Sequence, residues 1–443
     1  MNDTRQKTSH FSLVIFIISL MIFSLLYGIA SANFDWFPYS YVQKAWNTWK
    51  SVWSDATSLH SLRPARYPEK TGVTVYNQER AYNGITLITG TWNEDDNEWF
   101  HGIRLVDMKG NLVHQWKIEP NEIWPESPHN DHTAGMHNQK HRTTIHGITI
   151  YPNGDIVFNL EYLTLVKMDW DGNIIWKLPY RTHHSVFEDE TGDLWVCGAQ
   201  WREEKVLEYP HLLPNFTEDT ILKVSANGEI KREISILKAI YESNYPGILF
   251  FVGTSSYYVH NTGDVTHLND VEVLNSDMAQ HFKTFKAGDI LVSMRHNNTI
   301  MVIDGETEKI KWALIHPFVA QHDPDFCPDG TITVFDNGLA KTNPDSVLGG
   351  TRILKVNPVT NSVTPIYGHK DEQYFYTNQG GKHQHLPNGN LLITECAAGR
   401  VFEVNVAGEV VWDWYTSKWD DDHIGEVMQG IRLPEGYLIN SDE

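Results

Sequence analysis

The chain has 443 residues, 41% of them hydrophobic, with 16 Trp, 19 Tyr and 18 Phe, which is ample for a large packed core. Its 35 Lys and Arg stand against 56 Asp and Glu, and the formal charge of −21 argues against a sequence-independent grip on nucleic acid or anionic lipid. Three cysteines without a C-x-x-C spacing exclude a disulfide framework or a thiolate zinc knuckle as the organising principle.

From Phe11 to Ala30 the chain is almost wholly apolar, about the length that spans a bilayer core as a helix. Arg5 and Lys7 precede it, so the reading is a single-pass anchor over residues 1–33 with a cytoplasmic N-terminus and the body in the periplasm or extracytoplasmic space. Ala30-Ser-Ala32 imitates a signal-peptidase site and keeps cleavage before Asn33 open as the alternative. Residues 34–71 follow as a second segment. Aromatics and aliphatics spaced by three and four over 36–60 predict an amphipathic helix, and 61–72 is a Pro-rich linker.

From residue 72 to 443 a strand-turn-strand phrase recurs, which overrides the two or three domains that length alone suggests. The phrase sets a histidine eight residues ahead of a turn glycine. It reads His146-Gly-Ile-Thr-Ile-Tyr-Pro-Asn-Gly154, then His184 to Gly192, then His322-Asp-Pro-Asp-Phe-Cys-Pro-Asp-Gly330. Asn-Gly and Asp-Gly turns between alternating strands are strong hairpin signals, and each unit parses into the four strands of a propeller blade. The expected fold is therefore an all-β, six-bladed β-propeller. Five blades start near His146, His184, His267, His322 and Gly381. The sixth joins the phrase from Met428 at the C-terminus to N-terminal strands near Asn83, His101 and Asn111, which removes exposed sheet edges. Trp116, Trp312 and Trp412, each ending an outer strand, are expected to wedge between blades. Of Cys197, Cys327 and Cys396, at least one is expected to be buried as a small apolar residue, and an exported compartment would permit one pair to bridge.

Residues at one offset of a cyclic repeat come from different blades yet meet around the axis. At that offset stand His146, His184, His267, His322, Gly381 and Met428, while the fifth blade carries His383 and His385 two and four residues on, on one face of a strand. Convergent imidazoles can bind a transition metal, act as general acids and bases, or supply a nucleophile while neighbours hold developing charge. Arg295, Arg352 and Arg400 are cations available to an anionic substrate.

Gln321-His322-Asp with Thr333-Val-Phe-Asp-Asn-Gly338 resembles the core phrase of the bacterial aryl sulfate sulfotransferase family. So do His267-Leu-Asn-Asp-Val-Glu, Ile290-Leu-Val-Ser-Met-Arg-His and Thr299-Ile-Met-Val-Ile-Asp304. The resemblance covers most of 72–440. It implies transfer of a sulfuryl group from an aryl sulfate donor to a phenolic acceptor, with no nucleotide sulfate donor and with the group resting on a histidine; no cofactor or metal is assigned. Carried over residue by residue, His267 and His322 hold sulfuryl oxygens or move protons, and His385 or its neighbour His383 stands in the region of the nucleophile, with His385 preferred. The family arginine after the Asp-Asn-Gly turn is replaced by Gly338-Leu-Ala-Lys341, leaving Lys341 or the more distant Arg352 to bind substrate, with Arg295 as a further candidate. The histidines His146 and His184 make the funnel richer in imidazole than simple sulfuryl transfer requires. Two other readings stay open: an extracytoplasmic His-rich metal-dependent enzyme, and a non-catalytic propeller that binds a partner or polysaccharide. The segments 94–98 and 119–141 are expected to shape substrate choice, and a homodimer is compatible with the sequence.

Overall fold

Short alternating strands closed by tight Asn-Gly and Asp-Gly turns cannot bury both faces alone, so their sheets stack. The computed structural model describes residues 2–34, 36, 37, 39, 61–95, 98–129, 144–250, 263–338 and 350–439. It falls into two compact units, Met1–Leu59 and His60–Glu443. In the first unit the α-helix Asn2–Phe34 contains His10–Ser31, a run of 22 residues with mean hydropathy 2.7, long and apolar enough to cross a membrane. The amphipathic helix expected over 36–60 lies almost wholly outside the described residues.

The second unit is a six-bladed β-propeller. Blade 1 comprises strands Ile145–Ile150, Ile156–Leu160, Thr164–Met168 and Ile174–Leu178. Blade 2 runs from Arg181–Glu188 through Leu194–Arg202 and Phe216–Val224 to Ile230–Ser235, with Gly263–Asp264 added in parallel. Blades 3 and 4 begin with Leu268–Val273 and His322–Phe326. Blade 5 begins with Lys382–His385 and gains Gly72–Tyr76 as a fifth, outermost strand. Blade 6 is the predicted composite: Val427–Pro434 pairs with Gly84–Asp95, which continues into Glu98–Val106 and Leu112–Ile118. The first strands of successive blades touch one another in a closed ring and so line the axis.

The core is distributed between the blades. One apolar cluster joins blades 6 and 1, and five others fill the remaining interfaces around the ring. Each fully buried aliphatic or phenyl side chain stabilises by about 1.5–3 kcal/mol, so the interfaces carry most of the cohesion. The tryptophans do more than wedge. The indole N–H of Trp116 donates to Asp169 O at 3.0 Å, that of Trp312 to Asn361 Oδ1 at 2.9 Å and that of Trp412 to Met108 O at 3.0 Å, in each case a turn of the next blade. Trp176 makes the same bond to Ala226 O at 2.9 Å. Arg432 of blade 6 is buried against Glu403 of blade 5 at 3.0 Å and closes the ring where the two termini meet. All three cysteines are buried and free.

Candidate active site

The inner strands depart from regular pairing at the end where the repeated phrase starts. In blades 1, 2, 3, 4 and 6 the register slips, between Ile145 and Ile148, His183 and Val186, Leu268 and Asp270, His322 and Asp325, and Val427 and Gln429. A β-bulge of this kind re-aims the side chains it carries. His184, His267 and Asp323 accordingly take φ values of 54°, 50° and 51°, a left-handed conformation that costs a non-glycine residue roughly 1–3 kcal/mol. Gly147 permits the close approach of blades 1 and 2 there, since a Cβ would stand 2.1 Å from His184 O.

The bulges bring four predicted histidines together. Ring centroids of His146 and His184 are 4.2 Å apart, those of His184 and His267 4.9 Å, and those of His184 and His322 6.4 Å. His183 and His296 extend the cluster, His183 through a 2.9 Å contact between its Nδ1 and that of His184, and His296 by stacking on His267 at 4.6 Å.

Hydrogen bonds fix what several of these rings can do. Nδ1 of His322 faces Asn337 Oδ1 at 2.7 Å and Ala320 O at 3.1 Å. The Asn337 amide cannot turn its nitrogen that way, because Nδ2 already donates to Thr377 O and Gly380 O. Both partners of Nδ1 only accept, so Nδ1 carries the proton and Nε2 presents a lone pair. Burial, reinforced by the charge of Arg295, pushes His322 well below the usual imidazole range and keeps it neutral. His267 has the same polarity from a different partner: its Nδ1 lies 2.5 Å from Asp264 Oδ2, which orients the ring and leaves Nε2 to accept a proton. Burial would raise Asp264, but the charge and hydrogen bond of His267 outweigh it and hold the carboxyl below its ordinary value. Burial, then the neighbouring imidazoles, drives His184 well below its usual range.

The guanidinium of Arg295 makes no hydrogen bond or ion pair among the described residues, although Asp264 lies near enough to act on its charge. It is a partly buried cation beside His322 in a chain of net charge −21. Arg352, in contrast, is committed to the buried Asp336 at 2.5 Å, and Arg400 to Asp413 at 2.6 Å. Lys341 lies outside the described residues.

His383 and His385 share a face as the alternation predicts, with ring centroids 5.6 Å apart, but that face turns toward blade 4. Their Nε2 atoms meet Thr333 Oγ1 at 2.8 and 2.9 Å, and His383 Nδ1 meets Asp323 Oδ2 at 2.9 Å. The structure thus does not bring His385, the expected nucleophile, into the four-histidine cluster. Lys382, on the other face of the strand, points into the axis and bridges Asp270 at 2.8 Å and Asp323 at 2.7 Å. Further along the inner strands a cavity of about 470 Å³ is lined by Asp270, Glu272, Asp323, Asp325, Lys382 and His383. Burial pushes Glu272 and Asp325 well above the carboxylate range.

The repeat did not reveal Glu161, Asp264 or Asn337, the side chains that orient or face the imidazoles. Asp264 lies three residues before His267, and Asn337 inside the Val-Phe-Asp-Asn-Gly phrase, so both carried a local signal. Glu161, just past the second strand of blade 1, carried none.

The fold and site together define a β-propeller whose axis is lined by imidazole at one end and by carboxylates at the other. The arylsulfotransferase (ASST) family model matches residues 147–417, more than half of the chain, and the chain belongs to that family. It is therefore a sulfotransferase-type enzyme acting on small molecules. No curated protein matches it. Among solved structures it is similar to a Bacteroides caccae protein of unknown function at 12% identity and a TM-score of 0.48, covering 79% of this chain and 98% of that one. It is also similar to the Staphylococcus aureus virginiamycin B lyase at 12% identity and a TM-score of 0.40, covering 80% of this chain and 90% of the other.

Proposed function

We propose that the protein moves a sulfuryl group from an aryl sulfate to a phenolic acceptor in two steps, with His322 as the nucleophile. The observation that carries this reading is the fixed tautomer of His322, whose Nδ1–H is held by Asn337 and Ala320 while Nε2 keeps its lone pair. In the first step Nε2 attacks sulfur, the bond from sulfur to the aryl oxygen breaks, and the phenolate leaves. In the second the acceptor oxygen attacks sulfur, the N–S bond breaks, and Nε2 of His267 takes the phenol proton. In this reading Arg295, the cation beside His322, holds the charge on the peripheral sulfuryl oxygens, and a preorganised cation in a water-poor site acts there most strongly. No nucleotide donor enters this scheme. His146 and His184 stand beside the reacting atoms, and His383 and His385 serve the blade 4–5 interface.

The helix Asn2–Phe34 would anchor the enzyme with its N-terminus cytoplasmic and the propeller outside the cytoplasm, as Arg5 and Lys7 ahead of the apolar run favour. Intact mass spectrometry of the full chain after brief exposure to an activated phenyl sulfate without acceptor tests the chemistry. The expected result is a gain of about 80 Da that disappears on adding phenol. Phenol release without any covalent gain under single-turnover conditions would contradict the two-step route.

A further inference from the structure

Three groups of His, Asp and Glu among the described residues have donor atoms within 4.8 Å of one another: His146, Glu161 and His184; Asp264, His267 and His296; Asp323, Asp325 and His383. Their hydrogen bonds separate them. In the second group Asp264 and His267 are committed to each other at 2.5 Å, and in the third Asp323 is taken by Lys382 at 2.7 Å and His383 at 2.9 Å.

In the first group the donor atoms are those left over. Thr144 Oγ1 donates to Glu161 Oε2 at 2.8 Å, which turns Oε1 toward the imidazoles. His183 engages Nδ1 of His184, leaving Nε2 on the Glu161 side. Nδ1 of His146, a residue only 6% exposed, has no hydrogen-bond partner among the described residues. Glu161 Oε1 lies 3.7 Å from that Nδ1 and 4.0 Å from His184 Nε2, beyond hydrogen-bond reach in both cases. An ion bound at about 2.1 Å holds its donors roughly 3.0–3.5 Å apart, so Glu161 Oε1 and each imidazole need approach by only about 0.2–1 Å to share one.

We propose that His146, Glu161 and His184 bind one divalent first-row transition-metal ion through two imidazole nitrogens and one carboxylate oxygen. Two histidines and one carboxylate leave open positions on such an ion, and a hydrogen bond to the far side of a ligand, as Thr144 and His183 supply here, is the usual means of fixing its orientation. The ring of His184 adjoins those of His267 and His322, so the open positions serve an anionic oxygen of the substrate held between them. The site stands on its own ligands and does not depend on which residue carries the sulfuryl group.

The test uses the full chain, stripped with a chelator and titrated with Zn²⁺, with bound metal measured by elemental analysis. One equivalent is expected. Glu161→Gln and His146→Asn should each weaken binding at least about tenfold, and Thr144→Val should weaken it less, whereas His423→Ala, at a half-buried imidazole paired with Asp420, should leave it unchanged. Should the buried variants fail to fold, X-ray absorption of the zinc-loaded wild-type chain decides, with two imidazole ligands expected. No retained zinc, undiminished affinity in both Glu161→Gln and His146→Asn, or a wild-type spectrum without imidazole scattering would overturn the proposal.

Discussion

Blades 4 and 5 start from the same phrase and deliver it to different places. Eight residues before its turn glycine, blade 4 has His322 and blade 5 has Gly381. The inner strand of blade 4 is bulged and sends its histidine to the axial cluster, whereas that of blade 5 pairs in unbroken register from Lys382 to His385. The reason for the glycine is steric: a Cβ at Gly381, where φ is +107°, would lie 2.3 Å from the ring of Phe335. With no bulge, strict alternation sends Lys382 to Asp270 on the axis and turns His383 and His385 toward Thr333 of blade 4. An equivalent place in a repeat therefore does not guarantee an equivalent role; local pairing decides which face a side chain joins.

The comparison can be broken most decisively at the nucleophile. His322→Asn should lower single-turnover sulfuryl transfer by at least about 10⁴-fold, while His385→Ala should stay within about threefold of the parent, as measured by phenol release. Next in size is Lys382→Met, which leaves Asp270 and Asp323 buried without their cation. A loss of about 3–5 kcal/mol in denaturant unfolding is expected, partly recovered by adding Asp270→Asn. Gly381→Ala should cost about 1–3 kcal/mol in the same assay, because both its φ and Phe335 oppose a side chain.

The smallest expected effect is on pH. His184 and His322 are held neutral well below their usual range, and burial with the charge of His267 brings His296 down to about 4. Between the ordinary imidazole value near 6.5 and about 4 the unfolded chain binds more protons than the folded one, so stability is full above that window and falls as pH drops through it. Glu161 works in a lower window, from its usual carboxyl range down to about 2. Thermal unfolding followed from pH 8 to 5 should show a falling midpoint, and a flat or rising one would contradict the burial of neutral imidazole.

Much of this was legible in the sequence. The spacing of His146, His184 and His322 from their turn glycines, together with the Asn-Gly and Asp-Gly hairpins, indicated six blades, the composite closure through Met428 and a shared axial site that His267 joins. The facing of His383 and His385 onto one side also followed from alternation. Which side they face did not, because it depends on a bulge that blade 5 lacks, and bulges leave no consistent residue signature. The side chains that orient or face the imidazoles, Asn337, Asp264 and Glu161, come from the ends of second strands and from connecting segments outside the repeated phrase, so periodicity alone could not assign them. Arg295 was visible as a cation, but that it has no ion pair among the described residues, whereas Arg352 is committed to Asp336, is a property of packing.

The central claim is that the axial His322, and not the interface His385, receives the sulfuryl group. Peptide mapping by tandem mass spectrometry of the full chain, trapped with an activated aryl sulfate and digested at high pH, tests it most directly. The account predicts the added mass on the fragment containing His322, absent in His322→Asn and retained in His385→Ala. An adduct carried by the fragment containing His383 and His385 would contradict it.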